Sequence, residues 1–188
     1  MLRRIGVKSA ISSNSGEIKQ ASKIILPGVG NFDYGMKNLH SSGLIDVLNQ
    51  KTLIEKIPIL GICLGAQMLG NKSEEGIEKG LGWIDMDIVK FDPSKMERTD
   101  KIPHMSWSEI KIEKQGSKLM QGLTNASRFY FVHSYHMKPT ENSDILTSSN
   151  YGYNFVSAVE KENIYGVQFH PEKSHKYGMK VLQNFANL

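Results

Sequence analysis

The residue types best suited to covalent chemistry are one thiol and one imidazole–carboxylate pair. Cys63, the chain's single cysteine, stands in Gly61-Ile62-Cys63-Leu64-Gly65. An apolar run (57–62) leads in, and a helix-like stretch (64–69) leads out. Glycines on either side admit a sharp turn that bulkier residues would block, and the spacing is the G-x-nucleophile-x-G pattern with Cys in the place of Ser. Such a turn holds the sulfur at the C-terminal end of a strand, where open α/β sheets bind ligands. It also sits at a helix start, where the dipole favours a thiolate. A lone cysteine elsewhere is ordinarily a small buried hydrophobe; the two glycines argue against that here.

A thiolate nucleophile needs a base and a group to orient the base. His170-Pro171-Glu172 follows Ile164-Tyr165-Gly166-Val167-Gln168-Phe169, which reads as a buried strand. Proline cannot continue the ladder, so the strand ends there. Residues two apart in extended chain share a side, so Glu172 can fix the tautomer of His170 and leave its other nitrogen for Cys63. The small-residue segment Pro27-Gly28-Val29-Gly30 also follows a strand. Its use is exposed backbone N–H groups: acyl transfer through Cys63 creates an oxyanion, stabilised by donors aimed at it. Leu64 N–H is one expected donor, and Val29 or Gly30 the second. Taken alone, this tetrapeptide is an ordinary turn.

These residues must be positioned by strands and helices that alternate through the first half of the chain. Strands are expected at 7–12, 23–26 and 57–62, and helix at 15–21, 34–49 (broken near Gly43) and 64–69. The second half carries strand-like runs at 86–91, 107–112, 129–135, 155–160 and 164–169, with a closing helix over 174–188. Residues 92–101 read as a polar loop. The expected fold is α/β, a single domain over 1–188: an open, mostly parallel sheet flanked by helices, with an added antiparallel section. The opening residues read as the tail of a helix with no strand before it. A first strand is therefore expected to be missing, a misplaced start being the plainer explanation.

A length of 188 residues suffices for one sizeable core. The net charge of +4 is spread along the chain, so no nucleic-acid partner is expected. One cysteine precludes an intrachain disulfide. No run of 18 apolar residues occurs and no secretory signal opens the chain, so a cytoplasmic protein with no membrane partner is expected.

Ile25-Leu26-Pro27-Gly28-Val29-Gly30, Gly61-Ile62-Cys63-Leu64-Gly65-Ala66-Gln67 and Val167-Gln168-Phe169-His170-Pro171-Glu172-Lys173-Ser174, in this order, resemble the class I (triad) glutamine amidotransferases. Within them the chain is most similar to the glutaminase subunits of imidazole glycerol phosphate synthases. Pro103-His104-Met105-Ser106-Trp107, Ser73-Glu74-Glu75-Gly76 with Gly80-Leu81-Gly82, and Phe131-Val132-His133-Ser134-Tyr135 point to that subfamily. The resemblance runs from about residue 5 to the C-terminus. It implies a flavodoxin-like fold, Cys63 as nucleophile, His170 as general base and acid, and Glu172 as orienting carboxylate. It implies that Gln67 and Glu75 hold the glutamine substrate, with His133 and Tyr135 lining its pocket. It implies a glutamyl thioester, release of ammonia and hydrolysis to glutamate, with no metal or organic cofactor.

Ammonia released into water is protonated and lost, so a partner should receive it through a closed path. The resemblance implies a (β/α)8-barrel cyclase of histidine biosynthesis, forming a heterodimer, with Met105, Trp107 and Lys173 as interface candidates. The chain departs from the family in three places. The family's opening strand, ending Asp-Tyr-Gly, is absent; Ser106 stands where Gly is usual, and Ser108 where Asn is usual. Two alternatives therefore accompany this reading: a paralogous subunit supplying ammonia for sugar amidation in surface polysaccharides, and an inactive binding subunit. A cysteine peptidase ranks below both, because it gives no reason for Gln67, Glu75 and His-Pro-Glu together.

Overall fold

A computed structural model describes all residues, 1–188. The chain runs through α1 (Ser15–Lys19), β1 (Ile24–Gly28), α2 (Phe32–Ser41), α3 (Ile45–Asn49), β2 (Ile59–Cys63), α4 (Leu64–Gln67), β3 (Lys72–Ser73), β4 (Met86–Lys90), β5 (His104–Glu109) and β6 (Lys111–Ile112). It continues through β7 (Arg128–His133), β8 (Tyr135–Pro139), β9 (Ile145–Tyr151), β10 (Tyr153–Lys161), β11 (Ile164–Val167) and α5 (His175–Ala186). Nine strands form one mixed sheet with the path β1-β2-β11-β10-β8-β4-β3, and β9 and β6 extend it beside β10. β5 and β7 form a separate antiparallel ribbon.

The parallel part is β1, β2 and β11, together with the short β3–β4 pair; the remaining pairings are antiparallel. β2 and β11 are buried along their whole length, which is why both read as continuous apolar runs. Side chains alternate across the sheet. Leu60, Ile62, Tyr165 and Val167 join a core with Phe129, Phe131, Phe169 and the α5 residues Val181, Leu182 and Phe185. Ile59 and Ile164 join the other core, with Phe32, Met36 and Leu39 of α2 and Leu64 of α4.

The expected strand over 7–12 does not form. Residues 1–14 contribute only a 3-10 turn, Leu2–Ile5, and β1 is the sheet's edge. The helix expected over 34–49 is two helices, parted at Gly43, whose φ of 68° lies in the left-handed region open to glycine. No helix is long and apolar enough to cross a membrane.

Candidate active site

Strand register brings the chemistry together. Gly28 pairs with Cys63 across β1–β2, and Val167 pairs with Ile62 across β11–β2. The C-terminal ends of three parallel strands thus meet at one rim, with Gln168 one residue past its pair. Cys63 itself carries the turn, at φ 54°, ψ −113°. For a non-glycine residue this conformation costs about 1–3 kcal/mol and is maintained only by dense surroundings. The glycines supply that density rather than the turn. A Cβ on Gly65 would lie 1.8 Å from the Leu26 carbonyl oxygen, and one on Gly61 2.7 Å from the Ala66 backbone. The helix leading out is shorter than expected, a single turn (Leu64–Gln67), so it contributes little dipole to the sulfur.

His170 is 2% exposed, and its Nδ1 lies 2.7 Å from Glu172 Oε1. A carboxylate only accepts, so Nδ1 carries a proton and Nε2 is the nitrogen left for chemistry. Nε2 is buried and has no hydrogen-bond partner of good geometry, although the Cys63 sulfur is near enough to act on the ring. Burial by itself would lower the pKa of His170; the sulfur and then Glu172 outweigh it and push it up to about 9. Burial likewise opposes ionisation of Glu172, and the His170 hydrogen bond overcomes it, holding the carboxyl below its usual range. The turn is clamped from behind: Ser174 Oγ donates to the His170 carbonyl and accepts Tyr130 N–H.

The residues expected around glutamine fall near this rim in different states. Val29 is exposed, and Leu64 N–H opens α4 directly after the sulfur. Glu75 Oε2 accepts Phe32 N–H at 2.7 Å, and Asp33 accepts the amides of Ile77 and Glu78, so the 73–78 loop is tied to the start of α2. Partial burial and the nearby Glu75 and Glu74 raise the pKa of Tyr135. Gln67 and His133 are buried and turned inward.

One backbone carbonyl sets the polarity of a whole network. Tyr135 O accepts Gln67 Nε2 at 3.2 Å and His133 Nδ1 at 2.8 Å. Gln67 Nε2 also donates to Gln168 Oε1 (3.0 Å), which turns Gln168 Nε2 toward Cys63 Sγ, 3.7 Å away. On the other branch His133 Nε2 must accept, so His104 Nδ1 donates to it at 3.2 Å. His104 Nε2 in turn accepts from Ser106 Oγ (2.9 Å) or Ser108 Oγ (3.0 Å). Burial keeps both rings neutral, His104 down at about 4 and His133 well below its ordinary value. Residue spacing assigned no role to Gln168 or His104. The signal for Gln168 was alternation: it lies two residues before His170 and so shares its side of the strand.

Met105 and Trp107 stand on the outer face of the β5–β7 ribbon, opposite Val132 and Tyr130. Lys173 Nζ sits 5.6 Å over the Tyr130 ring, and His175 stacks on Trp107 at 5.3 Å. The three interface candidates therefore share one exposed surface. No cluster of three or more His, Cys, Asp or Glu side chains is arranged to hold a metal.

The model of the glutamine amidotransferase class-I family matches residues 1–188. The chain is 52% identical over 190 residues to imidazole glycerol phosphate synthase subunit HisH 2 of Pseudomonas aeruginosa, covering 100% of this chain and 91% of that one. It is 52% identical over 185 residues to the protein of the same name from Methanococcus maripaludis, covering 98% and 90%. Among solved structures, the glutaminase domain of Trypanosoma brucei CTPS shares the fold, with a TM-score of 0.66 at 15% identity, covering 99% of this chain and 84% of that one. A thiol, an imidazole and a carboxylate at the ends of adjacent strands, in a chain matched over its whole length, place this protein in the class-I glutamine amidotransferase family.

Proposed function

We propose that the chain is the glutaminase subunit of an imidazole glycerol phosphate synthase, releasing ammonia from glutamine for a partner subunit in histidine biosynthesis. The observation that carries the chemistry is the buried, unpartnered His170 Nε2 beside the Cys63 sulfur. The Cys63 thiolate attacks the side-chain carbonyl carbon of glutamine. The developing oxyanion is met by backbone N–H groups, Leu64 and Val29 being the candidates. Protonated His170 gives its proton to the leaving nitrogen, ammonia departs, and a glutamyl thioester remains on Cys63. Neutral His170 then takes a proton from water as the hydroxide oxygen adds to the thioester; collapse returns the thiolate and releases glutamate. Glu172 keeps the ring in the tautomer both halves need. Gln67, Glu75, His133 and Tyr135 build the glutamine pocket, Gln67 and His133 bracing its wall from behind through the Tyr135 carbonyl.

The acceptor of the ammonia is a (β/α)8-barrel cyclase. Its N-terminal barrel face docks on the Cys63 side of the chain, against Met105, Trp107 and Lys173. That ribbon face supports the reading: Trp107 and Tyr130 offer aromatic area in the open, with Lys173 and His175 at its rim. Glutamate release measured with and without the cyclase tests the proposal. Turnover should rise when the cyclase is added, and a glutamine-like electrophile should label Cys63. A chain that neither takes the label nor makes glutamate beside the cyclase overturns it.

A further inference from the structure

Two groups reach the Cys63 sulfur from the end of β11, and the mechanism above uses only one of them. His170 approaches as the proton carrier. Gln168 approaches with an amide: fully buried, Nε2 to Sγ 3.7 Å. An N–H···S contact is longer than an N–H···O bond because sulfur is larger, and it strengthens when the acceptor is ionised. The amide cannot present its oxygen instead. Its Oε1 accepts from Gln67 Nε2, and Gln67 is pinned by the Tyr135 carbonyl, which can only accept. A chain of fixed polarity therefore runs from a backbone oxygen to the sulfur and ends on a donor. A donor there favours the thiolate over the thiol, and burial keeps water from competing with it.

The other surroundings of the sulfur leave room for this role. β1 and α4, which pack on the turn, bring no charged side chain: Ile24-Ile25-Leu26-Pro27-Gly28 and Leu64-Gly65-Ala66-Gln67. β2 and β11 bring none either. The titratable side chain beside the sulfur is His170, with Glu172 behind it. His170 faces the sulfur as a proton carrier, and the proton it holds is spent on the leaving nitrogen in the acylation step. The Gln168 amide carries no exchangeable charge and remains a donor in every step.

We propose that Gln168 is a positioning residue that holds Cys63 as a correctly placed thiolate through Nε2, its own orientation being set by Gln67 and the Tyr135 carbonyl. This rests on the glutaminase reading of the site, but its test does not need glutamine. Cys63 is the single cysteine, so the rate of alkylation by iodoacetamide against pH reports on that sulfur alone. Gln168→Met, unbranched and of similar volume, removes the donor. The pH of half-maximal alkylation should rise by about one unit, with the plateau rate kept, since a hydrogen bond to a charged group is worth roughly that much. A folded Gln168→Met protein with an unmoved midpoint overturns the proposal, because a purely packing role changes stability and not the thiol's titration. If Gln168→Met does not fold, Gln67→Met leaves Gln168 in place but unpinned, and a smaller rise is expected; an unmoved midpoint there overturns the proposal equally. A chain that as wild type hydrolyses no glutamine beside the cyclase, yet as Gln168→Met shows the shift, sinks the glutaminase reading alone. One that as wild type hydrolyses glutamine and as Gln168→Met shows no shift sinks the role of Gln168 alone.

Discussion

Buried histidines occur in two regions of this molecule, and they are held in opposite states. At the strand rim, His170 has a carboxylate on Nδ1 and a sulfur beside Nε2, and its pKa is driven up to about 9. Beneath the β5–β7 ribbon, His104 and His133 are equally enclosed, yet their partners are a carbonyl, each other and two hydroxyls, and burial drives both down. Burial alone always works against the imidazolium. What separates a histidine that holds a proton from one that stays neutral is the sulfur at one nitrogen together with an anionic carboxylate on the other. The two regions are also joined, since the Tyr135 carbonyl feeds both.

Removing the anion is the most damaging way to test this contrast. Glu172→Gln keeps the shape and the acceptor oxygen but deletes the charge. His170 should then hold its proton less tightly, with only the sulfur left to favour it, and glutamine hydrolysis in the presence of the partner should fall by about 10²–10³-fold, in the range general acid–base groups supply. Steady-state glutamate release measures it. Activity within about twofold of wild type, well short of a general acid–base contribution, would mean that the sulfur alone sets the state of His170.

The strand-rim half of this contrast was legible in the sequence and the half beneath the ribbon was not. Cys63 and the His170–Glu172 pair announce themselves because each depends on local chain geometry: a nucleophile turn in one case, a proline-ended strand two residues deep in the other. The reason for the glycines was legible only in part, since Cys63 bears the left-handed φ while Gly61 and Gly65 make space for backbone contact. The His104 network depends on β5, β7 and β8 meeting in three dimensions, and no spacing along the chain encodes that. β9 was hidden for a related reason. Thr147-Ser148-Ser149-Asn150 is too polar to read as a strand, but Thr147 and Ser149 are buried, and Thr147 Oγ1 is paired with Ser157 Oγ at 2.8 Å.

Supplying an anion to the structural region is the converse test, and the sign follows from linkage. His104 stays neutral in the fold until pH falls to about 4, whereas the unfolded ring takes a proton near 6.5. The stability it contributes is therefore intact above 6.5 and is lost as pH falls toward 4, on the order of 3 kcal/mol for this ring. The sign for His170 is opposite: its contribution is full below 6.5 and lost as pH rises through about 9. Ser106→Asp places a carboxylate where a hydroxyl now meets His104 Nε2. The ring can then accept a proton in the folded state without giving up its Nδ1–H bond to His133. Melting temperatures at about pH 7 and about pH 5 should converge in this variant and diverge in wild type; equal acid sensitivity in the two proteins would show that burial, not the missing anion, governs His104.

The smallest effects should come from the serines themselves, and their pattern matters more than their size. Ser106 Oγ and Ser108 Oγ lie 2.9 and 3.0 Å from the same His104 Nε2. That nitrogen has one lone pair, so one hydroxyl donates well at a time while the other stands in reserve. Both serines converge on one acceptor. Ser106→Ala or Ser108→Ala alone leaves the acceptor satisfied and should cost less than about 1 kcal/mol in denaturant unfolding. The double variant strands a buried acceptor and should cost more than the sum of the two, by about 1–2 kcal/mol. Additive losses would mean that each serine acts through its own contacts. The His170–Glu172 pair has no such reserve: Glu172 is the one carboxylate bonded to His170, so damage there should be expressed in full by a single substitution.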